Sequence, residues 1–324
     1  MVSPKLTPQF LTDYARLCEP RLREFLDRKG AALPAELQPA HILLRDYALR
    51  GGKRIRGGLV HLTGGDAAID ASVGMELLHT YLLIHDDFMD RDETRRGGPT
   101  LHVSLGANLA ILLGSLCEAW AFELVLAAPH GREVAQVLAA AVQEVIAGQA
   151  LDVLAPAGPE LVPEQVARIQ RMKTGSYTFE LPLKLGATIA GAPPEMHLAL
   201  ERYGRPLGQA FQIIDDLLGT FGSPEVTGKP NASDLREGKR TLLIARALAS
   251  ATPEDAAVLR KGLGDPGADV EKLRAILRRS GAVDAARADA EKLRDQALRE
   301  LASLPPQLAE HLREIALFSL QRVF

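Results

Sequence analysis

Apolar residues recur at helical spacing in nearly every segment of this 324-residue chain, and no segment alternates apolar and polar residues as a half-buried strand does. The pattern runs through "LTDYARLCEPRLREFL", "AIDASVGMELLHTYLLIHDDFM", "VAQVLAAAVQEVIAGQALDVL", "VARIQRMKTGSYTFELPLKLGATIA" and "MHLALERYGRPLGQAFQIIDDLL". Proline and glycine supply the breaks, in "LRGGKRIRGG", "RRGGP", "APAGPELVP", "AGAPPE", "GSPEVTGKPNASD" and "GDPGAD". The expectation is an all-α fold of about ten to twelve helices with short connections and no repeat period. No linker is long or polar enough to require a second domain, so residues 1–324 are expected to form one. The segment "AARADAEKLRDQALRELASL" reads as an amphipathic outer helix.

Composition excludes several functions. With 47% hydrophobic and 24% charged residues the chain is ordinary globular material. A net charge of −3 rules out a generally basic nucleic-acid binder, so an anionic ligand must be held by a local cluster. Cys18 and Cys117 are the only thiols, too few for a disulfide framework or a cysteine metal site. The start "MVSPKLTPQFLTDYARL" lacks a basic region followed by an apolar core, and a cytoplasmic location is expected. The most apolar run, "ANLAILLGSLCEAWAFELVLAA", is interrupted by Asn108, Glu118 and Glu123, so it reads as a buried helix and not a membrane span.

Against that background the stretch "LLIHDDFMDRDETRRGGP" stands out. Residues four apart lie nearly above one another on a helix, so Asp86 and Asp90 share a face while Asp87 points roughly 100° away. Like charges one turn apart repel, and burying them without a partner is very costly. A hard divalent cation removes both objections, and Mg²⁺ typically takes one or two carboxylates together with substrate phosphates. A charged helix end emerging into water would carry the same acids. Arg95 and Arg96, in a turn-forming Gly-Gly-Pro segment, favour the cation reading, because arginine suits two-pronged phosphate recognition.

A second acidic pair, Asp215 and Asp216, lies in "GQAFQIIDDLLGTFG", with Gln212 three residues before Asp215 and therefore on its face. Four positions after Asp215 stands Gly219, not a carboxylate. Glycine disfavours a helix interior by roughly 1 kcal/mol relative to alanine, so this helix is expected to end near "GTFG". Basic residues gather in "GGKRIRGG", where Lys53 and Arg56 are three apart, and in loops carrying Lys173, Lys229 and Lys239. His79 is seven residues before Asp86, about two turns away on the same face. Taken together these groups describe two anion pockets, one bridged by metals and one lined by Lys53, Arg56, His79 and Arg96. Two adjacent diphosphates fit that pattern.

From about Gly51 to Thr241 the motifs "GGKRIR", "HTYLLIHDDFMDRDETRRGGPTLH", "GQALD", "KTGSY", "FQIIDD" and "GKPNASDLREGKRT" follow one another in an order that resembles the trans-prenyl diphosphate synthases, or polyprenyl synthetases. The likeness is greatest to short-chain archaeal-type geranylgeranyl diphosphate synthases. The resemblance implies an isoprenoid-synthase bundle around a central cavity and a Mg²⁺-dependent prenyltransferase that extends allylic diphosphates with isopentenyl diphosphate. It implies that Asp86 and Asp90 bind two Mg²⁺ ions and Asp215 a third, with Asp87 and Asp216 in support. Arg95, Lys173, Lys229 and Lys239 would hold the allylic diphosphate, and Lys53, Arg56, His79 and Arg96 the isopentenyl diphosphate. Thr174 and Gln212 would turn oxygen dipoles toward the allylic cation, with Gln149 and Asp152 behind them. A homodimer is implied as well. Gly219 departs from the commoner Asp-Asp-x-x-Asp second motif.

Tyr81 precedes Asp86 by five residues, about 7.5 Å of helical rise, and Leu82 by four. By the same resemblance they form a chain-length floor, which points to a twenty-carbon product, geranylgeranyl diphosphate, with farnesyl diphosphate as the alternative. A class I terpene cyclase would not need "GGKRIR" or the Arg96 pocket. A regulatory subunit of a hetero-oligomeric synthase would carry degenerate motifs.

Overall fold

A computed structural model of the chain describes residues 7–155, 162–222 and 232–320. The described residues are overwhelmingly helical, as the apolar periodicity predicts. They divide into two compact units.

The first unit comprises the described residues of Pro4–Ala139 and Leu181–His197. It contains α1 (Gln9–Ala31), α2 (Gln38–Leu49), α3 (Ile55–Gly64), α4 (Ile69–Met89), α5 (Leu101–Leu105), α6 (Ala107–Leu126) and α9 (Leu181–Ile189). Helix α4 is apolar around most of its circumference, and between Ala71 and Thr80 only His79 escapes full burial. A helix of that kind has to be surrounded. It packs on α6 and α3, while α3 also packs on α9.

One feature escapes the periodicity argument. Thr94–Arg95 and Gly98–Pro99 pair as an antiparallel hairpin, with Arg95 opposite Gly98. The loop is Arg96–Gly97, and both residues have positive φ, 51° and 76°. Two such residues are what a type I′ turn requires, and strands of two residues are too short to show alternation.

The second unit comprises the described residues of Ala140–Glu180 and Leu198–Phe324. Its core gathers Val166, Ile213, Ile214, Leu217, Leu243, Ile244 and Ile276 against α10 (Pro194–Phe221). Helix α10 ends at Phe221, inside the "GTFG" segment that the glycine signal marks. Later helices start at side-chain caps: Thr241 Oγ1 accepts the Ile244 N–H at 3.3 Å, and Asp269 Oδ1 accepts the Lys272 N–H at 3.0 Å.

The long apolar segment from Val166 to Ala190 is not one uniform helix. It runs as α8 (Pro163–Gln170), then a ten-residue π-helix (Arg171–Glu180), then α9. A π-helix widens the turn; such segments are rare and are frequently found at functional sites. Glycines let neighbouring helices approach it closely. A Cβ at Gly148, on α7 (Gly131–Leu154), would lie 2.6 Å from the Lys173 nitrogen, and one at Gly208 would lie 2.1 Å from the Gly175 carbonyl oxygen.

Among the described residues, three helical stretches are long and apolar enough to cross a membrane by length and composition alone: Asp66–Met89, Ala107–Leu126 and Gly131–Leu154. In the first, 67% of the most apolar window is buried inside the protein, against 39% and 22% in the others. The Ala107–Leu126 run is therefore less enclosed than the buried helix its sequence leads one to expect; Leu112 and Leu126 are exposed.

Candidate active site

The acids of α4 divide by environment. Asp86 and Asp90 are half-buried, and the Asp90 N–H donates to the Asp86 carbonyl at 2.8 Å, which keeps them one turn apart although Asp90 already caps the helix. Asp87 is 1% exposed. Tyr47 OH donates to its Oδ2 at 2.6 Å, and Arg95 forms an ion pair with its Oδ1. Burial pushes the Asp87 carboxyl upward while Arg95 and Tyr47 pull it back, and the net direction is up. Arg95 also bonds Asp92 at 3.1 Å, and Asp87 holds it strongly in its charged form despite its removal from water. The expected phosphate ligand Arg95 is thus drawn onto the acid that helical geometry points away from Asp86.

The hairpin is fastened from behind by Arg50, which donates to the Pro99 carbonyl at 2.7 Å and pairs with Asp46 at 2.9 Å. Arg96 in turn donates to the Arg50 carbonyl at 3.3 Å. Of the expected cations in "GGKRIR", Arg56 reaches the histidine of α4. Arg56 Nη1 lies 3.5 Å from His79 Nε2, and Lys53 is half-buried at the loop before α3. Burial, followed by Arg56, Arg96 and Arg95, drives the His79 imidazole well below its usual range, so the ring is neutral at pH 7.

Tyr81 is 5% exposed, and its ring stands edge-on to His85 at 4.7 Å. Burial and then Glu118 push its phenol up to about 12, so it presents a neutral, bulky surface. Leu82 beside it is half-buried.

In the second unit Asp215 is exposed, whereas Asp216 is 4% exposed. Gln170 donates to Asp216 Oδ2 at 2.6 Å and Gln212 to Oδ1 at 3.0 Å. Gln212 therefore serves the acid four residues on, and not Asp215, with which its three-residue spacing aligns it; the buried carboxylate is the one that needs donors. Burial, then the neighbouring Asp234, raises the Asp216 carboxyl to about 7, with the two glutamines opposing. Lys173 projects from the π-helix and bonds Asp152 on α7 at 2.8 Å. Thr174 and Gln149 are half-buried nearby in sequence, and the Thr174 carbonyl accepts from Thr178 at 2.8 Å. Lys239 pairs with Glu237 at 2.9 Å. Lys229 lies outside the described residues.

The structure also answers why position 219 is glycine. A Cβ there would lie 2.0 Å from Asp234 Oδ2 and 2.5 Å from its Cγ. The Asp234 carboxylate, from α11 (Ser233–Glu237), covers the space into which a side chain at 219 would project. Sequence reading overlooks Asp234, Tyr47 and Gln170, because their partners are 15 to 46 residues distant and only folding brings them close. Glu76 was readable: it is a lone acid on an apolar face, one turn before His79.

Among the described residues no three His, Cys, Asp or Glu side chains form a ready-made metal cage. Mg²⁺ uses few protein carboxylates and takes water and phosphate besides. The donor chemistry fits that ion, since both acidic clusters offer hard carboxylate oxygens and no sulfur.

Comparison with known proteins identifies the family. A family model described as polyprenyl synthetase matches residues 41–279. The chain is 34% identical over 290 residues to geranylgeranyl diphosphate synthase of Saccharolobus solfataricus, covering 84% of this chain and 87% of that protein. It is 36% identical over 249 residues to (2E,6E)-farnesyl diphosphate synthase of Mycobacterium bovis, covering 72% and 68%. The crystal structure of geranylgeranyl pyrophosphate synthase from Corynebacterium glutamicum, complexed with isoprenyl diphosphate and magnesium, superposes with a TM-score of 0.91 at 33% identity, covering 96% of this chain and 99% of that one. The chain belongs to the polyprenyl synthetase family and is a short-chain prenyltransferase of isoprenoid biosynthesis.

Proposed function

We propose that this prenyltransferase condenses isopentenyl diphosphate with allylic diphosphates and releases chiefly geranylgeranyl diphosphate, acting in the cytoplasm as a homodimer. The observation that carries the reading is the order of groups along α4: His79 beside Arg56, then Tyr81, then Asp86 and Asp90. One helix thus bears an anion cluster, a bulky stop and a cation-demanding acid pair.

In this reading Asp86 and Asp90 would hold two Mg²⁺ ions and Asp215 a third, with Asp87, Asp216 and Asp234 in support, and residues 1–324 act as a single catalytic domain. Bound magnesium would offset the charge that develops on departing diphosphate. Arg95, Lys173, Lys229 and Lys239 hold the allylic diphosphate and add to that stabilisation. Lys53, Arg56, His79 and Arg96 hold isopentenyl diphosphate so that its double bond lies next to the allylic carbon, replacing a chance encounter with a fixed geometry. Carbon–oxygen cleavage gives the allylic cation; Thr174 and Gln212 turn oxygen dipoles toward it, with Gln149 and Asp152 behind them. The double bond attacks, and the proton then lost goes to the diphosphate just released. The apolar flank of α4 excludes water that would quench the cation.

Tyr81 and Leu82 stop the growing tail. A burial of 95% supports Tyr81 as a firm floor, while the farnesyl-forming relative favours the fifteen-carbon product as the second reading. Exposed Leu112, 66% accessible, and Leu126 on α6 support a second copy as the cover for that helix. Incubating purified protein with isopentenyl diphosphate, each allylic primer and Mg²⁺, then measuring product chain length, tests the reading. A twenty-carbon product is expected, and no consumption of isopentenyl diphosphate rejects it. Light scattering at twice the 34.9 kDa chain mass checks the dimer.

A further inference from the structure

Glu76 lies in the most apolar stretch of α4 and is 2% exposed. A carboxylate buried to that degree persists only when paired and hydrogen-bonded. Both of its oxygens are used. Arg54 Nη1 donates to Oε2 at 3.0 Å, and the Gly57 N–H donates to Oε1 at 2.9 Å.

Each bond settles a local difficulty in the "GGKRIR" loop. Gly57 is in the first turn of α3, where backbone N–H groups lack helical partners, and the residue preceding that helix supplies no side-chain cap. Glu76 supplies the missing acceptor from another helix, with the negative charge that a helix start favours. Arg54, the residue before α3, sits in the left-handed region at φ 49° and ψ 30°, which residues with a Cβ rarely adopt. Its guanidinium turns inward, 4% exposed, where Glu76 and the Ala48 carbonyl at 3.2 Å receive it. The strained backbone turn and the inward arginine are therefore maintained by the same acid.

That turn is what sets Lys53 and Arg56 on the two sides of Arg54. His79 follows Glu76 by one helical turn, so α4 meets the loop twice, at Arg54 through Glu76 and at Arg56 through His79. The same helix carries Asp86, ten residues and about 15 Å beyond Glu76. The loop's cations are thereby held in fixed register with the acid pair.

We propose that Glu76 is a positioning residue for isopentenyl diphosphate, acting through Arg54 and the Gly57 N–H to aim Lys53 and Arg56; this rests on the assignment of those cations to that substrate. Glu76→Gln keeps the volume and an acceptor for Gly57 but removes the charge that pairs Arg54. The KM and the Kd of isopentenyl diphosphate should rise by about tenfold or more, with the KM of the allylic primer changed less than about twofold. In a Lys53→Ala background the further loss from Glu76→Gln should be smaller than in the wild type, because the part of its effect that runs through that lysine is already gone. If Glu76→Gln does not fold, as judged by thermal melting, the neutral pair Arg54→Gln with Glu76→Gln is used, and the same selective loss is expected. Equal weakening of both substrates with a matching fall in kcat, or no change in either, overturns the proposal. Lys53→Ala with unchanged isopentenyl diphosphate affinity rejects the site assignment and this inference together. Weakening by Lys53→Ala but not by Glu76→Gln rejects this inference alone.

Discussion

Replacing Gly219 by alanine sets two effects of different size against each other. The added Cβ would lie 2.0 Å from Asp234 Oδ2, closer than the 3.0 Å below which such contacts essentially never occur. The carboxylate must retreat by about 1 Å. Leu235 next to it is buried, so the Asp234 side chain gives way before its helix does. Overpacking of this kind costs about 1–3 kcal/mol, while alanine in place of glycine inside a helix returns about 1 kcal/mol. Stability should therefore fall by no more than about 2 kcal/mol. A displacement of about 1 Å in a reacting site, by contrast, lowers turnover about a hundredfold. Urea unfolding followed by steady-state kinetics across a Mg²⁺ titration separates the two. Gly219→Asp, which writes in the third acid of the commoner motif, should do worse still, since it adds a like charge beside Asp234 and Asp216. Wild-type turnover and Mg²⁺ dependence in Gly219→Ala would refute the reasoning, because the Asp234 carboxylate would then have no need of that space.

Three further outcomes are expected. Asp86→Ala should remove nearly all turnover while leaving the melting temperature within a few degrees, since the half-buried side chain is lost without opening the core; retained activity in a prenyl-transfer assay rejects the metal assignment. Tyr81→Ala should lengthen the product, read by chromatography of the dephosphorylated alcohols, and should also destabilise the fold by about 3–5 kcal/mol as an emptied aromatic site; unchanged product length removes Tyr81 as the floor. His79 is neutral in the folded protein and has a depressed pKa, so the unfolded chain takes up the proton first: its effect on stability is absent above the unfolded value of 6.5 and grows as a penalty when pH falls from there toward the folded value. His79→Gln should flatten that acid limb in denaturant titrations between pH 7 and 5, and an unchanged slope would show that the ring is not held neutral.

Much of the architecture was legible because helical packing writes itself into apolar spacing. The end of α10 at Phe221 follows from a glycine whose backbone preference is local. Arg56, at the start of α3, and His79, on α4, lie within one unit, and the structure brings them against each other. The π-helix was not legible: Arg171 to Glu180 has the same apolar texture as its neighbours, and the close approach of Gly148 and Gly208 from other helices exists only in the folded chain. Nor was the hairpin, since Arg96 at φ 51° adopts a conformation that a sequence assigns to glycine or asparagine. Gly219 looked like a missing ligand because one acid was expected on one helix. Only the folded chain shows Asp234 above it.

The two glycines flanking the π-helix have a consequence for anyone interpreting tolerance to mutation. A methyl group at Gly148 or Gly208 pushes on the widened turn, and the displacement arrives at Lys173 and Thr174. A saturation screen scored on output alone would flag both positions as though they handled the reactants, although neither has a side chain to offer.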